Sequence, residues 1–232
     1  MERKRSAVTT GLAVCLGLAA CAGSEPPAPP TRIVYLALGA SDAQGVGAEP
    51  LTRGYVYRIA AELDRRVDQV FLANLGIPGG DTAALEGGTG LFFEAEAAPD
   101  LVTLWTGPND LIRGGNADDF EAALAAIFER VRNANEAAVI VAATVPDLTR
   151  LPRFRAEPDE DVTRERIEEF NAAIEEQAED YGVLVVDLSG EPVADELVSE
   201  GDGFHPNDAG HRRLAERFLR VILPAFGLVP VA

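Results

Sequence analysis

Apolar residues along this chain follow two alternating rhythms. Short unbroken runs at 33–38, 70–75, 101–106, 138–144 and 183–186 predict β-strands buried on both faces. Between them, apolar residues recur at spacings of three and four. Tyr55, Ile59 and Leu63 mark one face of a helix over 55–67. Phe120, Leu124, Ile127 and Val131 form a second stripe, and Ile167, Phe170, Ile174 and Tyr181 a third. Leu214, Phe218 and Val221 lie on a closing helix. Strands that alternate with helices imply right-handed crossovers and a parallel sheet covered on both faces. The expected class is therefore α/β, a three-layer α/β/α sandwich around a five-stranded parallel sheet. One domain over 32–232 is long enough to bury its own core.

In open parallel sheets, ligands bind beyond the carboxyl ends of the strands. Three strand ends here are unusual. The first runs into Gly39-Ala40-Ser41-Asp42, the second into Gly-Ile-Pro-Gly-Gly from Gly76, and the third into Gly107-Pro108-Asn109-Asp110. A fourth loop, Asp202-Gly203-Phe204-His205-Pro206, precedes the closing helix and can reach the same edge. Together they hold the parts for acyl transfer. Serine attacks only when a base takes its proton, and His205 is one of two histidines in the chain. Asp202, three residues earlier, can accept from the second imidazole nitrogen and fix the tautomer. The N–H groups of Ser41 and Gly76 and the side-chain amide of Asn109 could stabilise an oxyanion. Singly, each has a plainer role: Ser41 could cap a turn and Asn109 could close an Asx-turn. His211 has no comparably spaced carboxylate and is expected to be a structural cap or a surface residue.

These four blocks, in this order, resemble those of the SGNH hydrolases, also called GDSL esterases or lipases. Asn74-Leu75-Gly76-Ile77-Pro78-Gly79 is similar to that family's second block, Gly-Pro-Asn-Asp to its third and Asp-Gly-Phe-His-Pro to its last. The resemblance spans Gly39 to Pro206. It implies a flavodoxin-like sheet, a Ser41–His205–Asp202 triad, an oxyanion hole from Ser41, Gly76 and Asn109, and no cofactor. The first block departs from Gly-Asp-Ser-Leu. Ala40 replaces an aspartate that supports the nucleophile loop, and Asp42 replaces an aliphatic residue, placing a carboxylate beside the nucleophile that would disfavour anionic substrates. Gly-x-Ser-x-Gly is absent around Ser41, which sets aside an α/β-hydrolase elbow. No dinucleotide fingerprint or phosphate loop is present either.

The N-terminus reads as an export signal. Arg3-Lys4-Arg5 precedes a short apolar stretch that ends in Leu18-Ala19-Ala20-Cys21. This resembles a bacterial lipobox, so 1–20 is expected to be a lipoprotein signal peptide and Cys21 the lipid-modified first mature residue. The proline-rich 21–31 would be an extended spacer of about 3 Å per residue. With Cys15 removed, the remaining Cys21 can form neither an internal disulfide nor a cysteine metal cluster. A formal net charge of −18 repels nucleic acid, so the expected membrane link is the lipid itself.

The leading expectation is an envelope-tethered carboxylic-ester or thioester hydrolase acting on small-molecule or lipid esters. Leu91, Phe92, Phe93, Leu111, Ile112, Leu148, Leu151 and Phe154, in loops beside the site, are candidates to line its cleft. The segment 146–161 is expected to form a movable wall. Two other readings use the same fold: a carbohydrate O-deacetylase, and a catalytically silent envelope-binding lipoprotein.

Overall fold

The computed structural model describes residues 29–94 and 98–229. The expected signal peptide, Cys21 and all but the last residues of the spacer lie outside the described residues. The chain runs β1 (Arg32–Gly39), α1 (Ser41–Gln44), α2 (Tyr55–Asp64), β2 (Gln69–Gly76), α3 (Thr82–Glu94), β3 (Leu101–Trp105), α4 (Pro108–Ile112) and α5 (Ala117–Ala134). It continues through β4 (Val139–Ala143), α6 (Pro152–Ala156), α7 (Arg164–Tyr181), β5 (Leu184–Val186) and α8 (Asp208–Ala225). The five strands pair in parallel in the order β2-β1-β3-β4-β5. This is the flavodoxin-like order, with its switch point at the carboxyl end of β1. Strand limits match the apolar runs to within two residues.

Alternation along the strands builds two cores. Leu36 and Leu38 of β1 join Val102, Leu104, Ile140 and the apolar stripes of α3, α5 and α7. Ile33, Tyr35 and Ala37 face the other way, into a core with Ile59, Leu63, Phe218 and Ile222 from α2 and α8. The sandwich therefore has three layers, as the periodicity implied.

The long helix that the pattern did not reveal is α3. Its three glycines, Gly87, Gly88 and Gly90, lower helical propensity and blur the apolar stripe. Packing overrides them. Leu85 is buried, and Phe92 and Phe93 pack against the first core. A Cβ on Gly88 would stand 3.1 Å from the Ile77 side chain, so the missing side chain lets the helix close onto the loop after β2.

His211 is neither a cap nor a surface residue. The cap of α8 is Asn207, whose Oδ1 accepts from the N–H groups of Ala209 and Gly210 at 2.9 and 3.0 Å. One turn further on, His211 is fully buried. Its Nδ1 accepts from the Tyr55 N–H at 3.3 Å, and Nε2 donates to the Val46 carbonyl at 2.9 Å. It thus ties the last helix to the start of α2 and to the loop behind the first strand end. Burial holds its imidazole below the usual histidine range, which keeps it neutral. Leucine here would strand two buried backbone groups, each costing about 1–3 kcal/mol. Urea unfolding of His211→Leu is expected to show a loss of about 2–4 kcal/mol, and a loss within experimental error would refute the anchor.

Candidate active site

Strand register decides what meets at the sheet edge. Gly39 at the end of β1 lies level with Gly76 of β2 and with Trp105 of β3. The three following loops therefore leave the sheet side by side. A Cβ on Gly39 would stand 3.0 Å from both Ala43 Cβ and the Trp105 carbonyl, so the turn into α1 closes tightly. Ser41 is the first residue of α1. Its N–H belongs to the first helical turn, where backbone donors lack intrahelical acceptors. Gly45 ends the short helix at φ 90°, and Val46 N–H returns to the Ser41 carbonyl at 3.0 Å.

The histidine loop is held from several directions. Ser199 N–H donates to the His205 carbonyl at 2.7 Å, and Gly203 N–H donates to the Ser199 carbonyl at 2.8 Å. Gly203 takes φ 64°, a left-handed conformation that favours glycine. The Asn207 side chain donates to the carbonyls of Glu196 and Val198 at 2.8 and 3.0 Å. Gly47 packs on this loop so closely that a Cβ would stand 2.1 Å from the Pro206 carbonyl.

These constraints bring Ser41 Oγ to 2.8 Å from His205 Nε2. His205 Nδ1 lies 2.5 Å from Asp202 Oδ2. The other carboxylate oxygen of Asp202 accepts from the N–H groups of Phe204 and His205 at 2.9 and 3.1 Å. Partial burial raises the Asp202 carboxyl, but the His205 hydrogen bond and the two loop amides outweigh it and hold it below the usual range. An ionised Asp202 accepts a hydrogen bond from His205 Nδ1–H. Nε2 is then left with a lone pair aimed at the serine hydroxyl.

A small recess beside Ser41 is lined by Ala40, Asp42, Thr106, Pro108 and Asn109. Asn109 Nδ2 donates to the Gly80 carbonyl at 2.8 Å, which fixes the amide while leaving its second hydrogen. Gly76 is placed differently from its expected role as a donor. Its N–H already donates to Asn74 Oδ1 at 3.0 Å, while Asn74 Nδ2 reaches the Ala43 carbonyl at 2.7 Å. Gly76 serves by having no side chain: a Cβ would stand 3.0 Å from the Ala40 carbonyl. Two positioning roles were not legible in the sequence. Buried Asp110 accepts from the Thr82 N–H at 3.0 Å and the Thr82 hydroxyl at 3.0 Å, locking the start of α3 to the Asn109 turn. Asp110 stood in the sequence only as the last residue of the Gly-Pro-Asn-Asp block, and Thr82 carried no signal of its own.

Three buried polar atoms near this turn have no hydrogen-bond partner among the described residues: Asp42 Oδ1, Tyr55 OH and Trp105 Nε1. Asp42 and Trp105 also border a cavity of about 110 Å³ whose apolar walls include Leu148, Leu151, Leu188 and Val193. Of the residues expected to line a cleft, Leu148 and Leu151 do so. Leu111 and Phe154 are buried, with Phe154 edge-on to Phe204 at 5.9 Å. Leu91, Phe92 and Phe93 lie on α3 and Ile112 on α4, not in loops. The expected movable wall contains a helical turn at Leu148–Arg150 and helix α6, and its Arg153 N–H donates to the Gly203 carbonyl at 3.0 Å. Leu148, Leu151 and Phe154 anchor it in the core, so it is a packed wall.

The sequence pattern of the GDSL-like Lipase/Acylhydrolase family matches residues 37–213, and the chain belongs to that family. Solved structures share the fold. The esterase EstA from Pseudoalteromonas sp. is 17% identical with a TM-score of 0.62, covering 82% of this chain and 96% of its own. A lipase/acylhydrolase from Enterococcus faecalis is 21% identical with a TM-score of 0.64, covering 86% and 99%. The acetyl xylan esterase AlAXEase is 23% identical with a TM-score of 0.62, covering 82% and 100%. No curated protein sequence matches the chain.

Burial pushes the Asp42 carboxyl up to about 6, against the pull of nearby His205. The folded state therefore holds this proton more tightly than the unfolded chain does. Stability from this group is full below the ordinary carboxylate value and is lost as pH rises to about 6. Asp42→Asn keeps the shape without the charge. Between pH 4 and pH 7 the variant is expected to gain about 2 kcal/mol on the wild type in chemical unfolding. Parallel profiles would refute the buried charge.

Proposed function

We propose that this chain is a serine-nucleophile carboxylic-ester hydrolase, tethered to the cell envelope by a lipid on Cys21. The observation that carries the reaction is the unbroken hydrogen-bonded series from Ser41 through His205 to Asp202. As Ser41 Oγ attacks the ester carbonyl, its proton moves to His205 Nε2. Asp202 stabilises the resulting imidazolium. The carbonyl oxygen gains negative charge and is met by the Ser41 N–H and the free hydrogen of Asn109 Nδ2. Collapse of the tetrahedral intermediate expels the alkoxide or thiolate, which takes the proton from Nε2. Water then repeats the sequence on the acyl-serine.

The apolar cavity bordered by Asp42, Pro108 and Phe204, the sequence neighbours of Ser41, Asn109 and His205, supports acyl esters or thioesters of small molecules or lipids as substrates, since ligand pockets are mainly apolar. An acetylated polysaccharide would call for a shallow open groove instead. The tether rests on Leu18-Ala19-Ala20-Cys21 and the prolines that follow it. Labelling with a radioactive fatty acid is expected to disappear in Cys21→Ser.

A fluorophosphonate probe is expected to label the wild type and not Ser41→Ala; equal labelling of both would refute the nucleophile. Asn109→Ala is expected to lower kcat on a short-chain ester roughly 100- to 1,000-fold with little change in KM, because the amide acts on charge that develops in the transition state.

A further inference from the structure

The loop that carries the base has a cation stacked against it. Arg153, in α6, places its guanidinium carbon 5.3 Å from the centre of the Phe154 ring and 5.4 Å from that of Phe204. The two rings meet edge-on at 5.9 Å, and Phe204 in turn stands edge-on to the His205 imidazole at 5.0 Å. The guanidinium is therefore no more than about 10 Å from the centre of the catalytic ring. Its place is fixed from two sides. Phe154 is buried, and the Arg153 N–H donates to the Gly203 carbonyl at 3.0 Å.

The charge itself is uncommitted. Two residues on, Arg155 pairs with Asp195 at 2.6 Å, whereas the exposed Arg153 side chain has no ion pair or hydrogen bond among the described residues. Asp202 has its oxygens engaged by His205 and the loop amides instead. Acidic residues outnumber basic ones 38 to 20, so a free cation beside the base does not reflect a shortage of carboxylates. Phe204 also borders the recess that holds Ser41 and Asn109, and so joins the reacting centre to the cation. In the proposed reaction the leaving oxygen takes its proton from His205 Nε2, which puts the alcohol half of the ester on the imidazole's side of the carbonyl. Resting on the serine-hydrolase reading above, we infer that Arg153 selects esters whose alcohol half carries an anionic group, a carboxylate or a phosphate, a few atoms from the scissile oxygen. That half passes along Phe204, and its anion takes charge-assisted hydrogen bonds from the guanidinium. Arginine suits the task because it is always charged and can stack on rings while its N–H edge stays free. A neutral alcohol half gains nothing from it, and an ammonium is repelled. The net charge of −18 opposes anions, as does the carboxyl of Asp42 beside the nucleophile, so a preference for an anionic ester requires a local cation.

The test compares kcat/KM by pH-stat titration for three butanoate esters with alcohol halves built on one three-carbon spacer: 3-methoxypropyl, 3-carboxypropyl and 3-phosphooxypropyl. The wild type is expected to prefer at least one anionic ester over the neutral one by roughly fivefold at low salt. In 1 M sodium chloride, where the screening length falls to about 3 Å, the preference is expected to shrink. Which anion is preferred distinguishes carboxylate from phosphate. Arg153→Gln is expected to bring the anionic-to-neutral ratio to one or below, and Arg153→Glu to lower it further. Each ratio is taken within one enzyme, so a general loss from a disturbed loop cancels. Monoethyl succinate against ethyl butanoate puts the anion in the acyl half and is expected to show no preference. A wild type that does not prefer either anionic alcohol, a ratio unchanged in Arg153→Gln, or an equal preference for monoethyl succinate would overturn the inference. Fluorophosphonate labelling run alongside separates the two levels. A wild type that labels and cleaves the neutral ester without preferring an anion loses only the Arg153 site, whereas one that neither labels nor cleaves any ester loses the hydrolase reading itself.

Discussion

Ser41 and His205 lie 164 residues apart in sequence, and their side chains meet at 2.8 Å. That contact depends on where the strands of the sheet stop. Gly39, Gly76 and Trp105 share one level, so the turn that carries Ser41 emerges between the loop of Gly76 and the loop of Asn109. Backbone crowding then removes the remaining freedom. Gly76 presses on the Ala40 carbonyl, and Gly47 presses on the carbonyl of Pro206 in the histidine loop. A side chain at Gly76 would ask the Ala40 turn to yield by a few tenths of an ångström, and one at Gly47 would force the histidine loop to shift outright. The site is positioned by the absence of atoms as much as by their presence.

Two carboxylates flank the same serine in opposite environments. Asp202 lies toward solvent and is held ionised by an imidazole and two backbone amides. Asp42 lies inward without such donors, and burial raises its affinity for a proton. Environments that push paired acids apart divide labour between them. In the proposed reaction Asp202 steadies the base, while Asp42 keeps a buried, unpartnered oxygen one residue from the nucleophile.

The sheet and the four long amphipathic helices, α2, α5, α7 and α8, were legible because continuous apolar runs and three-four spacings survive without knowledge of neighbours. Ser41, Asp202, His205 and Asn109 were legible because their chemistry is tied to short blocks at strand ends. What stayed hidden depended on contacts distant in sequence. The helix α3 is stabilised by packing despite Gly87, Gly88 and Gly90. Gly76 has its N–H claimed by Asn74 Oδ1, a side-chain choice that spacing does not encode. His211 looked like a helix-start residue, yet the three-dimensional path of α8 carries it inside. The cavity wall from Leu188 to Val198 has no motif at all; it is held by contacts distant in sequence, among them Leu188 N–H to Thr144 Oγ1 and the bridge of Val198 to Pro206.

Asn207 begins the last helix and, through its side chain, also holds the carbonyls of Glu196 and Val198 that frame the histidine loop. The imidazole is thereby moored to a helix whose later turns, at Phe218 and Ile222, are buried in the second core. Loosening α8 back to Asn207 would open that core as it released His205 from Ser41. The position of the base and the integrity of one whole layer of the sandwich are therefore coupled through a single helix.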